Sequence, residues 1–599
     1  MDDQNKNLIL ATVLSFLVIM VWFVLFPPPD QVPVDPNAPA VTAETTESST
    51  ANGPAVAPGT GNAAAQESET VVSDAPRVEI DTPSVSGSIS LQGGRIDQLS
   101  LKKYRETLEP DSDIVELLAP VGSANPYYAL FGWAPGAGMT SEQVPGANTL
   151  WQAKPGQKLT PDTPIDLTWD NGAGLMFHRE VSVDDNYMFT VTQTVENTGS
   201  AAATLAPYGI LARHGEPADL KNFFILHEGA VQMVDGELSE MDYDDFEPAS
   251  AHKAIAVEKT GWSGFTDHFW MTTLIPRNDT GFKLSTLQDT RRGIYQTTTV
   301  LPTHSVAPGA SATVTTQLFA GAKEWDTIRH YQNEGGVDRF VDSIDWGWFF
   351  FLTKPIFSIL HWLNALIGNM GWAIIALTLI IKAALLPLAY KSYVSMAKMK
   401  ELQPQLEKLK IAAGDDKSAM QKSMMELYKK EKVSPASGCL PILLQIPIFF
   451  SLYKVIFVTL ELRHAPWVGW INDLSAPDPS SIINLFGLFP WGTPEPGTFL
   501  AIFGLGILPI ILGVSMWLQQ KLNPTPTDPT QKMIFAWMPW VFMFMLGSFA
   551  SGLVVYWIAN NTITFTQQYL IMRSQGYKPD VFGNIKASFK RVSKPDDTK

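Results

Sequence analysis

The apolar residues of this chain are gathered into runs of membrane length, and that grouping constrains its fold more than any other feature. A bilayer core about 30 Å thick needs roughly 20 apolar residues in a helix, because only a backbone that satisfies its own hydrogen bonds tolerates that medium. Residues 8–26 form a 19-residue run without a charge. A signal peptide has an apolar stretch of about 7–15 residues followed by small residues. Here the run is longer and Pro27-Pro28-Pro29-Asp30 follows it, so an uncleaved anchor over 1–26 is expected. Five more runs, 371–390, 439–460, 498–520, 533–549 and 553–571, come after residue 345 and bring the expected spans to six.

Orientation follows from Lys and Arg in the short loops. The stretch 391–438 carries ten Lys and the tail 572–599 seven Lys or Arg, whereas the loop 461–497 has Arg463 alone. The Lys-rich loop and the tail are therefore expected in the cytoplasm, which places the N-terminus there too. Trp467, Trp470 and Trp491 in the opposite loop suit an aromatic belt. The overall charge of -16 divides unevenly, -24 over residues 27–345 and +8 over the rest. The acidic part, expected outside, lacks the clustered Lys and Arg that phosphate binding needs, which speaks against nucleic acid as its partner. One cysteine, Cys439, excludes an intrachain disulfide and a cysteine-based zinc cluster.

Residues 27–75 are Pro, Ala, Ser, Thr and Glu with almost no large apolar residue, the composition of a disordered tether. From about 76 to 320 the apolar pattern has period two. Leu175, Phe177, Val181 and Val183 alternate with polar residues; after Asp184-Asp185-Asn186, Tyr187, Phe189, Val191 and Val195 do so again. Repeated short strands of this kind predict an antiparallel β-sandwich, extended by a helical segment to residue 345. His178, His214, His227, His252, His268 and His304 are scattered without ligand spacing, and no nucleophile elbow occurs, so a scaffold or docking domain is expected rather than an enzyme.

The stretch 346–370 is rich in Trp and Phe with Lys354 and His361 interspersed, which predicts an amphipathic helix lying in the membrane interface; the alternative is an extended start of the second span. Lys382 lies well inside that second span, where a Lys costs at least about 2.5 kcal/mol. Its stem is too short to snorkel from that depth, so a polar cavity facing the bundle interior is expected. Thr378, one turn earlier, Gln445 and Ser451 in the third span, Ser515 and Gln519 in the fourth, and Asn560, Asn561 and Thr564 in the sixth are candidates to line it. Lys454 lies near the outer end of the third span, where snorkelling is the expected account. In the loop 391–438, Met396, Met399, Leu402, Leu406 and Leu409, then Met420, Met424, Leu427 and Tyr428, recur every three or four residues and predict an amphipathic helical hairpin. With Met425, its methionines offer an adaptable surface for varied apolar partners. There is no Walker loop, and no cofactor or metal is expected.

The runs TLIIKAALLPLAYKSYVSMAKMKELQPQLEKLK, MMELYKKEKVSPASGCLPILLQIPIFFSLYKV, ELRHAPWVGWINDLSAPDP and SGLVVYWIANN closely resemble the YidC family of bacterial membrane protein insertases. The match is dense over about 340–575, and the anchor, tether and acidic sandwich are similar to the Gram-negative branch. The resemblance implies a multi-span α-helical membrane protein of the inner membrane. Its five-helix core would enclose a hydrophilic groove, and it would carry a periplasmic β-sandwich. It further implies a positive groove residue that attracts the acidic end of an incoming nascent protein; Lys382 stands where Arg is usual, without the planar fork of a guanidinium. Substrate-contacting positions fall on Ile446, Pro447 and Phe449 and on Tyr556 and Trp557. The Sec translocon and the ribosome are implied partners, and no DNA. A secondary transporter or channel using Lys382 as an ion or substrate site is the rival reading, but the spans show no inverted halves.

Overall fold

A computed structural model of the chain describes residues 75–218, 220, 226–249, 253–277, 281–413, 416–431, 433, 440–493, 504–523 and 529–577. The expected anchor, all but the last residue of the tether, Cys439 and most of the basic tail lie outside the described residues.

The period-two pattern folds as expected. Leu175–Val183 pairs antiparallel with Met188–Asn197, in a register that sets Phe177 opposite Val195, Val181 opposite Val191 and Val183 opposite Phe189. All six side chains are buried, so each strand turns one face inward. The Asp184 carboxylate closes the turn by accepting from the Asn186 and Met188 amides at 2.9 and 3.0 Å. These strands belong to a nine-stranded sheet in the order Glu237–Asp242, Gly229–Val234, Gly261–Thr266, Trp270–Arg277, Ser311–Ala322, Met188–Asn197, Leu175–Val183, Ile165–Asp170, Gln152–Ala153. A second, eleven-stranded sheet begins at Arg77–Asp81 and is antiparallel except where that strand meets Lys158–Leu159. Trp133, Phe177, Phe189, Phe265 and Phe319 fill the core between the sheets.

Arg179 crosses that core from the nine-stranded sheet. Its guanidinium donates to the carbonyls of Gly93 and Gly94 at 3.1 Å and of Phe131 at 2.6 Å, and it lies 4.3 Å over the Trp151 ring. Burial of the charge pulls its pKa down to about 9. The period-two pattern places Arg179 on the inward phase between Phe177 and Val181; the carbonyls that receive its charge are not legible in the sequence.

After the last strand come α1 (Trp325–Asn333), α2 (Phe350–Ile367), α3 (Met370–Ala384), α4 (Leu386–Glu401), α5 (Gln403–Ala413), α6 (Lys417–Lys430), α7 (Leu440–Val458), α8 (Ile507–Gln520), α9 (Pro529–Met545) and α10 (Ser551–Ser574). Helix α10 is the hub, packing on α3, α4, α7 and α8. Helix α3 also meets the α7–α8 connection closely: a methyl group in place of the Gly371 hydrogen would lie 2.1 Å from the Trp467 ring.

The helices differ from the expected spans in two respects. The run 371–390 is not one helix: α3 and α4 meet at a bend of 68°. Pro387 accounts for the break, since it has no amide proton and its ring clashes with the carbonyl four residues back; it stands at the start of α4, where both defects are tolerated. Secondly, among the described helices only α2 is alone long and apolar enough to cross a membrane, and α8 and α9 are shorter apolar helices. What is established is a β-rich domain of antiparallel sheets followed by a helical region. Helix length does not confirm six crossings. Helix α10 is long enough at ~36 Å, but Asn560, Asn561, Gln567 and Gln568 lower its hydropathy.

The sandwich is fastened to the helices by polar contacts. Asp345, just before α2, forms an ion pair with Lys454 of α7, and both side chains are almost fully buried. The expected snorkelling of Lys454 therefore gives way to an internal carboxylate supplied by the connector. His268 of the sandwich bonds through Nε2 to the Phe457 carbonyl at 2.7 Å, and Arg463 donates to the Arg105 carbonyl at 2.6 Å. Lys354 on α2 pairs with Asp342. His361, two turns later, lies 3.4 Å from Glu461 and 3.5 Å from Asp326.

Candidate functional site: a polar seam around Lys382

Lys382 occupies the last turn of α3, where the negative end of the helix dipole favours a cation. The side chain is half-buried and its ammonium donates to Gln445 Oε1 of α7 at 3.4 Å. Among the described residues no carboxylate stands opposite it. The Tyr556 side chain of α10 lies against Gln445, and Gln567 of α10 donates to the Lys382 carbonyl at 3.4 Å. Three helices thus converge on the lysine.

The helical period places more of α10 in the same seam. Tyr556, Asn560, Thr564 and Gln567 fall within about 80° of arc at about 100° per residue. Tyr556 and Gln567 touch Gln445 and Lys382, so Asn560 and Thr564 lie between them along that stripe. Asn560 and Thr564 are buried, and among the described residues Asn560 Oδ1 and Thr564 Oγ1 have no hydrogen-bond partner; on α7 the same holds for Ser451 Oγ. Buried polar atoms are otherwise almost always satisfied, and two left open one turn apart on α10 are where water or a polar ligand belongs.

Other candidates are placed differently. Thr378 is buried and its hydroxyl donates to the Ile374 carbonyl at 2.7 Å, back-bonding within its own helix instead of lining the seam. Ser515 accepts from Asn561 at 3.0 Å and so joins α8 to α10 on another face of α10. Gln519 is half-buried on α8, one turn from Ser515. Phe449 packs edge-on to Trp557 at 5.1 Å, and Phe542 of α9, which sequence reading missed, stacks on Trp557 at 5.8 Å. Ile446 is exposed, Pro447 interrupts the hydrogen bonding of α7, and Tyr556 is buried.

In the loop beyond the bend, α5 packs against α6 as a hairpin. Met396 and Met399 are not part of its surface. They lie on α4 in a small cluster with Ala389, Tyr393 and Ile571 of α10. Met420 and Met424 are half-buried and Met425 is exposed on α6.

The fold defines a two-part chain, a folded antiparallel domain ahead of an apolar helical bundle with a half-buried lysine in a polar seam. Comparison with known proteins supplies the membrane setting. Residues 77–359 match the YidC periplasmic domain and residues 362–578 the 60Kd inner membrane protein family. Over the full length of both chains, the sequence is 67% identical to a protein of Roseobacter denitrificans and 64% identical to one of Ruegeria pomeroyi, both named membrane protein insertase YidC. A crystal structure of an active YidC insertase with its first transmembrane domain resolved aligns over 84% of this chain and 94% of its own, at 17% identity and a TM-score of 0.34. The chain belongs to the YidC family.

Proposed function

We propose that this chain transfers apolar segments of nascent proteins from the cytoplasm into the inner membrane through the seam between α3, α7 and α10, without making or breaking a covalent bond. The observation that carries this reading is the half-buried ammonium of Lys382, with no carboxylate against it among the described residues, facing a helix whose stripe holds the open polar atoms of Asn560 and Thr564. A wet seam shortens the hydrocarbon path for the polar flank of a client. An acidic group about 4 Å from the ammonium gains roughly 4 kcal/mol at an effective dielectric near 20, less the cost of stripping its water. That attraction draws the flank inward, and burial of about 20 apolar residues in lipid then pulls the segment out of the seam. Ile446, Phe449 and Trp557 border the route, and the α5–α6 hairpin receives the client.

Six crossings with both termini in the cytoplasm and the sandwich in the periplasm complete the topology. Helix α2 lies along the outer interface. In support, Lys354 and His361, two turns apart, both reach carboxylates on the sandwich side, while Phe351, Trp362 and Leu366 are exposed on another face. Cooperation with the Sec translocon and the ribosome is part of the same proposal.

The test is insertion of a purified single-span client with an acidic outer tail into proteoliposomes. Lys382→Arg retains insertion, and Lys382→Glu lowers it by about tenfold or more, the loss of a favourable contact of roughly 1.4 kcal/mol. Normal insertion by Lys382→Glu overturns the electrostatic account. Crosslinks from Lys382, Phe449 and Trp557 reaching lipid alone, and never a stalled nascent chain, overturn the route.

A further inference from the structure

The connection between α7 and α8 contains a lobe whose chemistry is unlike that of a water-exposed loop. Residues 481–493 include no charged side chain. Ile482, Leu485, Phe486, Leu488, Phe489 and Trp491 are all exposed, Leu488 to 79%. A contiguous apolar surface on a connecting loop marks contact with something other than water.

The backbone of the lobe is arranged for such contact. Leu485 and Phe486 both adopt left-handed conformations, at φ 48° and 58°, which non-glycine residues enter at a cost. That strain folds the chain back so that its polar groups meet one another. The Phe486 amide donates to the Ser481 carbonyl at 2.8 Å, and the Phe489 amide to the Asn484 carbonyl at 3.0 Å. The Gly487 amide donates to Asn484 Oδ1, and the Trp491 indole to the Ile483 carbonyl, each at 3.0 Å. The Phe489 and Trp491 rings stack at 4.4 Å. Polar atoms turned inward and apolar side chains turned outward are what a non-helical segment needs in a medium without water.

The base of the lobe is fixed. The Ile482 amide bonds the Leu505 carbonyl at 2.9 Å, and Asp478 accepts from the Leu508 amide in the first turn of α8 at 2.8 Å. The lobe is therefore held at the start of α8, an apolar helix that the proposed topology sets in the bilayer.

We propose that the 481–493 lobe is a preformed lipid anchor, seated among the acyl chains of the leaflet at the α7–α8 connection. Lipid is favoured over a protein partner because the lobe offers no charged side chain for a specific contact and presents six exposed large apolar side chains instead. The proposal rests on the topology proposed above, which sets α8 in the bilayer and the connection at its outer face.

The single cysteine of the chain makes a direct test simple. In a Cys439→Ser background, a nitroxide is attached at Leu488→Cys, and for comparison at Glu109→Cys, an exposed sandwich position. The full chain is reconstituted in phosphatidylcholine–phosphatidylglycerol vesicles. Label 488 is expected to collide more often with oxygen than with a water-soluble nickel chelate, and label 109 to show the reverse. A label at 488 favouring nickel, one shielded from both reagents, or dipolar broadening from a second copy overturns the proposal. Should the labelled protein fail to fold, brominated lipids serve with the unlabelled chain. The fluorescence they quench is expected to include a component that Trp491→Phe removes, and a quenched fraction unchanged by that substitution overturns the anchor. Insertion activity enters neither measurement.

Discussion

Lys382 and Lys454 show how differently one residue type behaves according to its partner. Both stand in apolar runs, yet Lys454 has the Asp345 carboxylate against it and Lys382, among the described residues, the neutral amide of Gln445. A paired buried lysine is structural, whereas one without a carboxylate keeps its charge for something that arrives. Asp345→Asn should therefore act as a stability mutation. It removes the paired carboxylate and leaves Glu240 as the remaining counter-charge near the buried ammonium, at about 3 kcal/mol, so the thermal midpoint of the full chain falls while Lys454→Met in the same background restores most of it. An unchanged midpoint for Asp345→Asn means that water reaches Lys454. A second residue couples the sandwich to pH. Burial, together with the positive charges of Arg292 and Arg95, lowers the His214 pKa from about 6.5 to about 4. The folded domain thus binds fewer protons than the unfolded chain between those values. Its stability is full above about pH 6.5, falls as pH drops toward 4 and levels off below, a loss on the order of 2–3 kcal/mol. His214→Gln should flatten that limb of the unfolding profile, and a limb of unchanged slope assigns it to other groups.

At the scale of elements, strands were legible wherever one face is buried and the other wet, because burial then writes itself into alternate residues; Leu175–Val183 and Met188–Asn197 are found with the expected inward positions. The bend at Pro387 was less legible. A long apolar run reads as one span whether or not a proline divides it, and the consequence depends on whether neighbours allow a new helix to start. Of the site, Lys382 and Gln445 were visible as polar residues in apolar runs. The back-bonding of Thr378, the position of Met396 against α10 and the stacking of Phe542 depend on packing angles that one sequence does not fix. The stripe on α10 yields a prediction at this scale. Asn560→Leu with Thr564→Val removes two buried polar atoms without protein partners, which should stabilise the bundle by about 1–3 kcal/mol while reducing insertion of a client with a charged flank. Thermal unfolding and the proteoliposome assay must move in opposite directions. A lower thermal midpoint means that these atoms are satisfied by something the bundle needs.

For the whole molecule, the uneven charge distribution now has a structural counterpart: an acidic sandwich joined to a helical region through one short connector. The contacts that cross this junction differ in what they hold. Arg463 donates to backbone carbonyls and His268 bonds one, so removing the sandwich returns those groups to water at modest cost. Asp345 cannot be removed so cheaply, because Lys454 is buried behind it. Two deletions distinguish these roles. Deleting 76–320 keeps α1, the connector and Asp345, and insertion of a single-span client should persist at a level within about threefold of the full chain, a difference under 1 kcal/mol. Extending the deletion through 345 strands Lys454, and both membrane yield and insertion should collapse; Lys454→Met added to the longer deletion should recover the yield. Complete loss of insertion on the shorter deletion would mean that the sandwich itself handles the client. Equal activity of the two deletions would instead show that the ion pair leaves the bundle no more stable than lipid and water do.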